Sequence, residues 1–221
     1  MVEISPELAR IVRLGVLVCA DVRVLVADAG LDHALAALVD RMRAMKETPQ
    51  AASLVRTMYR RVGIDPTKTR PSSEALLRRV RRGESLPRIN TLVDACNWCS
   101  MEFQLPYGLY DLAQIDGRIE LRRGRSDEIY QGIRKDVVHL DGRMALCDER
   151  GPFGNPTSDS ARTMITPATT AALVIIYAPR ELAAERLHVA LEVTSSRIRQ
   201  YAGGHERGRW IVPNESTVID D

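Results

Sequence analysis

Residues 171–178, Ala-Ala-Leu-Val-Ile-Ile-Tyr-Ala, form an apolar run rich in branched side chains. Such a run reads as a strand over residues 171–177. It and the other long apolar stretch, residues 16–20, fall far short of the roughly 20 residues needed to cross a bilayer. No membrane role is expected. Residues 14–20 read as a buried strand, and residues 22–27 either as a second short strand or as the rest of one broken strand. With 221 residues and 45% hydrophobic content, the chain can bury a core of its own without staples.

Helical spacing separates these strands. In residues 31–45, Leu31, Leu35, Leu38, Val39 and Met42 recur every three to four positions, the pattern of one buried helix face. Residues 50–62 follow Pro49 and stop at Gly63. Residues 74–82 form a third helix, with Ser72 or Ser73 as the cap, Glu74 suited to its positive end and Gly83 at its close. Residues 89–102 form a fourth, with Asn90 or Thr91 near its start, and residues 180–201 a fifth. Short strands are expected at 108–112, 118–122, 137–140 and 145–147, the last two joined by Asp141-Gly142 as a hairpin turn. Residues 151–160 read as a loop. The order predicts an α/β (α+β) fold, a mixed sheet flanked by helices. One domain is expected over residues 1–205, followed by a polar tail, 206–221.

The net charge is only +2, so any nucleic-acid surface must be local. From Arg56 through Arg88 there are ten Lys or Arg against three Asp or Glu. Leu76, Leu77 and Val80 take one side of the third helix and leave its arginines outward. Lys68, Arg70, Arg78, Arg79, Arg81 and Arg82 are the candidate phosphate contacts, against the blander alternative of a solvated helix. Four cysteines and an opening that lacks a secretory pattern favour a reducing, cytoplasmic setting. Cys96-Asn-Trp-Cys99 has no second ligand pair at zinc spacing, so core packing is favoured over metal, and neither a metal nor a cofactor is expected.

The most informative stretch is residues 86–122, LPRINTLVDACNWCSMEFQLPYGLYDLAQIDGRIELR. It resembles a segment of bacterial phenylalanyl-tRNA synthetase beta subunits in which an Asn-Val-Val-Asp-x-Thr-Asn helix precedes a Gly-Gln-Pro loop, a Phe-Asp-Leu turn and a Gly-x-Ile-x-Val-Arg strand. Asn90, Leu92, Val93, Asp94, Asn97, Pro106, Tyr110, Asp111, Leu112, Ile115, Gly117, Ile119 and Arg122 carry the match. It is strongest over residues 55–180. The third and fourth modules of that subunit form a tRNA-editing domain. The resemblance therefore implies a trans-acting deacylase that hydrolyses the ester of a mischarged tRNA, with an aminoacylated acceptor end and an amino acid as its partners. Neither DNA nor a membrane is expected.

That ester is already activated, so binding, orientation and a water suffice and no nucleophilic triad is required. Asn97 matches a pocket asparagine of the family and could hold the substrate's amino or ester groups. Asp159, Ser160, Arg162 and Thr163 crowd one polar segment. There Asp159 could hold the ammonium group, Arg162 a phosphate, and Ser160 or Thr163 a water. The plainer reading is a polar turn with Asp159 and Arg162 paired. Cys96, Ser100, Pro106, Gly108 and Tyr110 are the remaining candidates for the substrate pocket. Cys96 replaces a threonine of the family and Gly108 a histidine. The strand near Leu173 and Val174 lacks the acid that reads a tyrosine hydroxyl, so tyrosine specificity does not transfer. The alternatives are a noncatalytic module binding an amino acid or RNA, and an ester or peptide hydrolase unrelated to tRNA.

Overall fold

The computed structural model describes residues 2–45, 47, 49–134 and 136–213. Its elements are β1 (Val2–Ile4), α1 (Pro6–Ala9), β2 (Val12–Ala20), α2 (Ala29–Ala44), α3 (Gln50–Arg61), α4 (Ser72–Arg81), α5 (Thr91–Phe103), β3 (Tyr107–Asp111), β4 (Ile119–Arg123), β5 (Ile129–Gln131), β6 (Val137–His139), β7 (Met144–Asp148), β8 (Gly151–Asn155), β9 (Ser158–Asp159), β10 (Ala171–Pro179), α6 (Ala184–Ala202) and β11 (His205–Val212). The fold is α+β. The strands form a four-stranded sheet, β11-β2-β10-β3, a five-stranded sheet, β1-β4-β7-β8-β9, and a separate β5-β6 pair. No helix among the described residues is long and apolar enough to cross a membrane.

The apolar run of residues 171–178 is central because it has a neighbour on each edge. β10 pairs antiparallel with all of β2 on one side and with β3 on the other. Residues Ala172 to Ala178 are buried without exception. Helix α6 lies on this sheet where Gly15 leaves room for Leu187 and Leu191, and α3 also contributes to this core through Val55, Met58 and Tyr59. A second apolar cluster joins α2, α4 and α5 through Leu35, Leu38, Leu77, Val80 and Met101.

Four expectations change. Residues 22–27 form no strand, because β10 begins with Ala171 opposite Ala20 and offers no partner beyond it. Asp141-Gly142 is a turn, but the strands on its two sides do not pair with each other. β6 pairs with β5, and β7 lies between β4 and β8. Residues 151–160 are the β8–β9 hairpin rather than a loop. The Asn155 side chain closes that hairpin by accepting from Thr157 N, Thr157 Oγ1 and Ser158 N. The expected tail also begins inside an ordered element, since β11 pairs with β2 from His205 to Val212. Gly204, at φ +75° and with no room for a Cβ beside the Ala20 carbonyl, turns the chain into that edge strand. Residues 214–221 lie outside the described residues.

Helix starts follow the expected chemistry at one place and not at another. Asn90 caps α5 by accepting from Val93 N at 2.9 Å. At α4 the capping position is Pro71, no side chain caps the helix, and Ser72 Oγ is buried without a partner.

The two large sheets meet at Tyr110. Its ring stands edge-on to Phe153 of β8 at 4.9 Å and 90°. A Cβ added at Gly108 or at Gly154 would lie 2.2 or 2.3 Å from its hydroxyl oxygen. Both glycines are therefore space for one tyrosine. Gly108→Ala should displace that ring and destabilise the protein by about 1–3 kcal/mol, measured as a lower urea midpoint with an unchanged m value; an unaltered midpoint would refute this packing.

Candidate functional site

A cavity of about 250 Å³ lies between α5 and β3, closed by β9 and by the chain that leads into β10. Its walls are apolar: Val93 and Cys96 from α5, Tyr107 and Leu109 from β3, and Met164 and Ile165 before β10. Asn97 and Asp159 are its polar residues besides the Tyr107 hydroxyl and the Cys96 thiol. The entrance carries Ile89 and Ile133.

Each wall has a visible support. The segment before α5 is tied down by Asp94, whose buried carboxylate accepts from Arg88 Nε at 2.8 Å and from Ile89 N at 3.0 Å. Thr91 fixes the same end to the loop at Leu25, exchanging a backbone and a side-chain hydrogen bond with it. Tyr107 is anchored by its hydroxyl, 3.0 Å from Thr194 Oγ1 of α6. Behind α5, Arg197 stacks on Trp98 at 3.9 Å and pairs with Glu102.

Asp159 is the unusual group. It sits on β9 next to Gly154 of β8, and its Oδ1 is shut off from solvent with no hydrogen-bond partner. Burial pushes its carboxyl up to about 7, against the opposing effect of hydrogen bonds from the Tyr110 hydroxyl and the Leu109 backbone. Burial also raises the Cys96 thiol well above its usual range, so Cys96 is a wall rather than a thiolate.

Beside this cavity runs a groove of about 540 Å³, lined by Arg70, Arg78, Arg79, Arg82 and Arg134, with Glu84 as its acid. Ile89, Val93 and Asn97 line both spaces. Asn97 therefore stands where the apolar cavity passes into the basic groove.

The structure brings together Asn97, Asp159 and Cys96, and gives the other candidates different surroundings. Arg162 does not meet Asp159. It forms a two-point ion pair with Asp148, both bonds 2.9 Å, and donates to the Gln114 carbonyl. Ser160 accepts from Arg162 N and Thr163 donates to the Phe153 carbonyl, so both fix the turn after β9. Ser100 donates to the Leu105 carbonyl, and the Pro106 carbonyl accepts from Tyr177 N. Gly108 and Tyr110 lie behind the cavity and hold the sheets together. Arg81 points away from the groove, donating to the Met45 and Glu47 carbonyls, and Lys68 is exposed outside it. Cys99 is buried, with Arg197 Nη1 3.3 Å from its sulfur. Among the described residues no cluster of His, Cys, Asp or Glu is placed to hold a metal.

Ile133, Arg134, Met164 and Ile165 were not legible as site residues. They come from segments far apart in sequence, and none belongs to a motif. Their one sequence signal is that Ile133 is an apolar residue in an otherwise polar stretch.

An α+β protein with an apolar, carboxylate-bearing pocket opening into a cationic groove is the class that this geometry defines. Residues 54–203 match the B3/4 domain, and the chain belongs to that family, to which the synthetase beta-subunit domain resembled by residues 86–122 also belongs. No curated protein matches the sequence. Among solved structures it is similar to an N-terminal fragment of the phenylalanyl-tRNA synthetase beta subunit from Pyrococcus horikoshii, with 13% identity and a TM-score of 0.47. The match covers 97% of this chain and 54% of that one, so the chain spans about half the fragment's length.

The sign of the Asp159 shift gives a test. Its proton is held more tightly folded than unfolded, so its contribution to stability is full below the unfolded value of 3.8 and is lost as pH rises through about 7. Asp159→Asn, which cannot ionise, should raise Tm relative to the parent by a margin that grows from about pH 5 to about pH 8. A margin independent of pH in thermal melts would contradict the assignment.

Proposed function

We propose that this chain hydrolyses the ester between an amino acid and the terminal ribose of a mischarged tRNA. One observation carries the reading: the cavity that contains Asp159 opens at Asn97 directly into a groove lined by arginines. A small apolar group and a polyanion joined by one ester would fit that junction. Family membership supports the same substrate class.

In this reading Val93, Cys96, Leu109 and Ile165 surround the amino-acid side chain. Asp159, in its ionised form, pairs with the ammonium group, which also lowers the cost of its buried charge. The Asn97 amide has both a donor and an acceptor. Its N–H group can hold the ester carbonyl while its oxygen orients the attacking water. Water adds to the carbonyl carbon, the bond to the ribose oxygen breaks, and the ribose hydroxyl leaves with a proton. No covalent intermediate is invoked, in keeping with a buried, protonated Cys96. The Tyr107 hydroxyl is engaged by Thr194, and beyond Asn97, Asp159 and the Cys96 thiol the described walls offer no polar partner for a distal hydroxyl, which favours an apolar amino acid. Apolar pockets discriminate weakly by size alone, so several such amino acids should be accepted. The cytoplasm is the setting that supplies such a substrate.

The purified protein should release amino acid from at least one member of a panel of mischarged tRNAs, and Asn97→Ala should lower kcat/KM by about tenfold or more. Release from no member of the panel would sink the proposal. Thermal stabilisation by free amino acids without any release would instead favour a noncatalytic binding module.

A further inference from the structure

We infer that the groove clamps the single-stranded 3′ end of the RNA between Arg134 of the β5–β6 turn and Arg78 and Arg82 at the end of α4, an inference that rests on the deacylase reading of the adjoining cavity. The cations themselves make the first distinction. Arg70 is paired with Glu74, and Arg79 is bound to the Ser85 carbonyl and near Glu84. Arg78, Arg82 and Arg134 have no acidic partner among the described residues. Three guanidinium groups in one groove, none of them ion-paired among the described residues and with Glu84 beside Arg79 as the lining acid, suit the phosphates of a polyanion.

The size of the groove selects the form of that polyanion. About 540 Å³ is the volume of a site for a small organic ligand. It suits the last nucleotide or so of a single strand. The apolar residues at the mouth point the same way. Ile89 is 57% exposed, Ile133 50% and Met164 39%, and all three line the cavity that opens there. An unpaired base presents an apolar face that can cover such side chains, whereas a duplex has its base faces already stacked.

Arg134 differs in origin from the other described residues of the groove. Among the described residues the rest of the lining comes from residues 70–97, and Arg134 is brought in from the β5–β6 turn. Its neighbour Ile133 lines the cavity and donates its backbone N–H to the Asp159 carbonyl at 3.2 Å. Gly132 N closes the turn on the Asp136 carbonyl at 2.8 Å. One turn thus carries an apolar side chain into the cavity and a cation into the groove. That arrangement gives the substrate an order: amino acid beside Asp159, ribose at Asn97, terminal base on Ile89 and Ile133, and phosphate between Arg134 and the α4 arginines. The contacts are to phosphate and to a base face, so binding should be nearly independent of sequence.

The test is a fluorescence anisotropy titration of the whole chain with a labelled single-stranded RNA octamer over a range of salt, with a blunt RNA duplex as competitor. Arg134→Ala should weaken binding by about 3- to 10-fold at low salt and reduce the slope of log K against log salt by about 0.7, the value for one phosphate contact on a single strand. Arg134→Lys should keep the slope. Because Arg134 is exposed and has no ion-pair partner among the described residues, both variants should melt with the parent. Failure of the parent to bind the octamer, an unchanged slope in Arg134→Ala, or a duplex that competes as well as the single strand would overturn the clamp. Deacylation is scored separately. A parent that binds the octamer but releases no amino acid overturns the deacylase reading alone, whereas deacylation with an unaltered Arg134→Ala slope overturns the clamp alone.

Discussion

One buried tyrosine ring fixes where the two halves of the molecule can sit. Tyr110 belongs to β3 of the four-stranded sheet, yet its side chain packs on Phe153 and over Gly154 of the five-stranded sheet. Its hydroxyl lies 3.2 Å from that of Tyr177 on the adjacent β10. No side chain larger than hydrogen fits at Gly108 or Gly154 without moving it. A close-packed interior transmits such a constraint rather than absorbing it. The position of β9, and with it Asp159, therefore depends on the same contact that joins the sheets.

Two carboxylates, Asp148 on β7 and Asp159 on β9, show how the fold divides structural from chemical work. Asp148 and Asp159 both suffer burial, which raises a carboxyl. At Asp148 the two-point bond to Arg162 and the backbone N–H groups of Asp116 and Arg150 outweigh that effect, and its carboxyl stays below the ordinary range. Asp159 has no cation partner among the described residues, and burial raises its carboxyl. The ion pair stiffens the turn that carries Asp159 while leaving Asp159 itself uncompensated. Asp94 serves a similar supporting end on the other side of the cavity, since its bonds to Arg88 and Ile89 hold the segment that forms the rim. A buried charge without a protein partner is costly unless something else supplies one, and the cavity is where a ligand can do so.

The helices were readable because their buried residues recur at 3.6-residue spacing within one short window: Leu31, Leu35, Leu38 and Met42 in α2, and Leu77 and Val80 in α4, needed no tertiary information. The β8–β9 hairpin and the edge strand β11 were not readable as strands. Gly151, Pro152, Gly154 and Asn155 carry turn composition, and residues 205–209 are largely polar because that edge faces solvent. Strand identity there comes from a partner distant in sequence. The same limit applied to the candidate site. The motif singled out Asn97 on the fourth helix, with Cys96 beside it in place of a threonine, and both line the cavity. Arg162 looked like a partner for Asp159 by proximity in sequence, but it is spatially committed to Asp148.

Composition and periodicity alone determined that this chain folds as an α+β protein with a strand over residues 171–177, and the motif over residues 86–122 determined its family. Both are local properties of the chain, written in the spacing of apolar and polar residues. Only the tertiary structure decided that β10 gains a neighbour on each edge, that Asp159 has no cation partner among the described residues, and that Ile133 and Arg134 reach the space beside Asn97. Those outcomes depend on which segments compete successfully for the same partner, and that competition is settled by packing between residues far apart in the sequence.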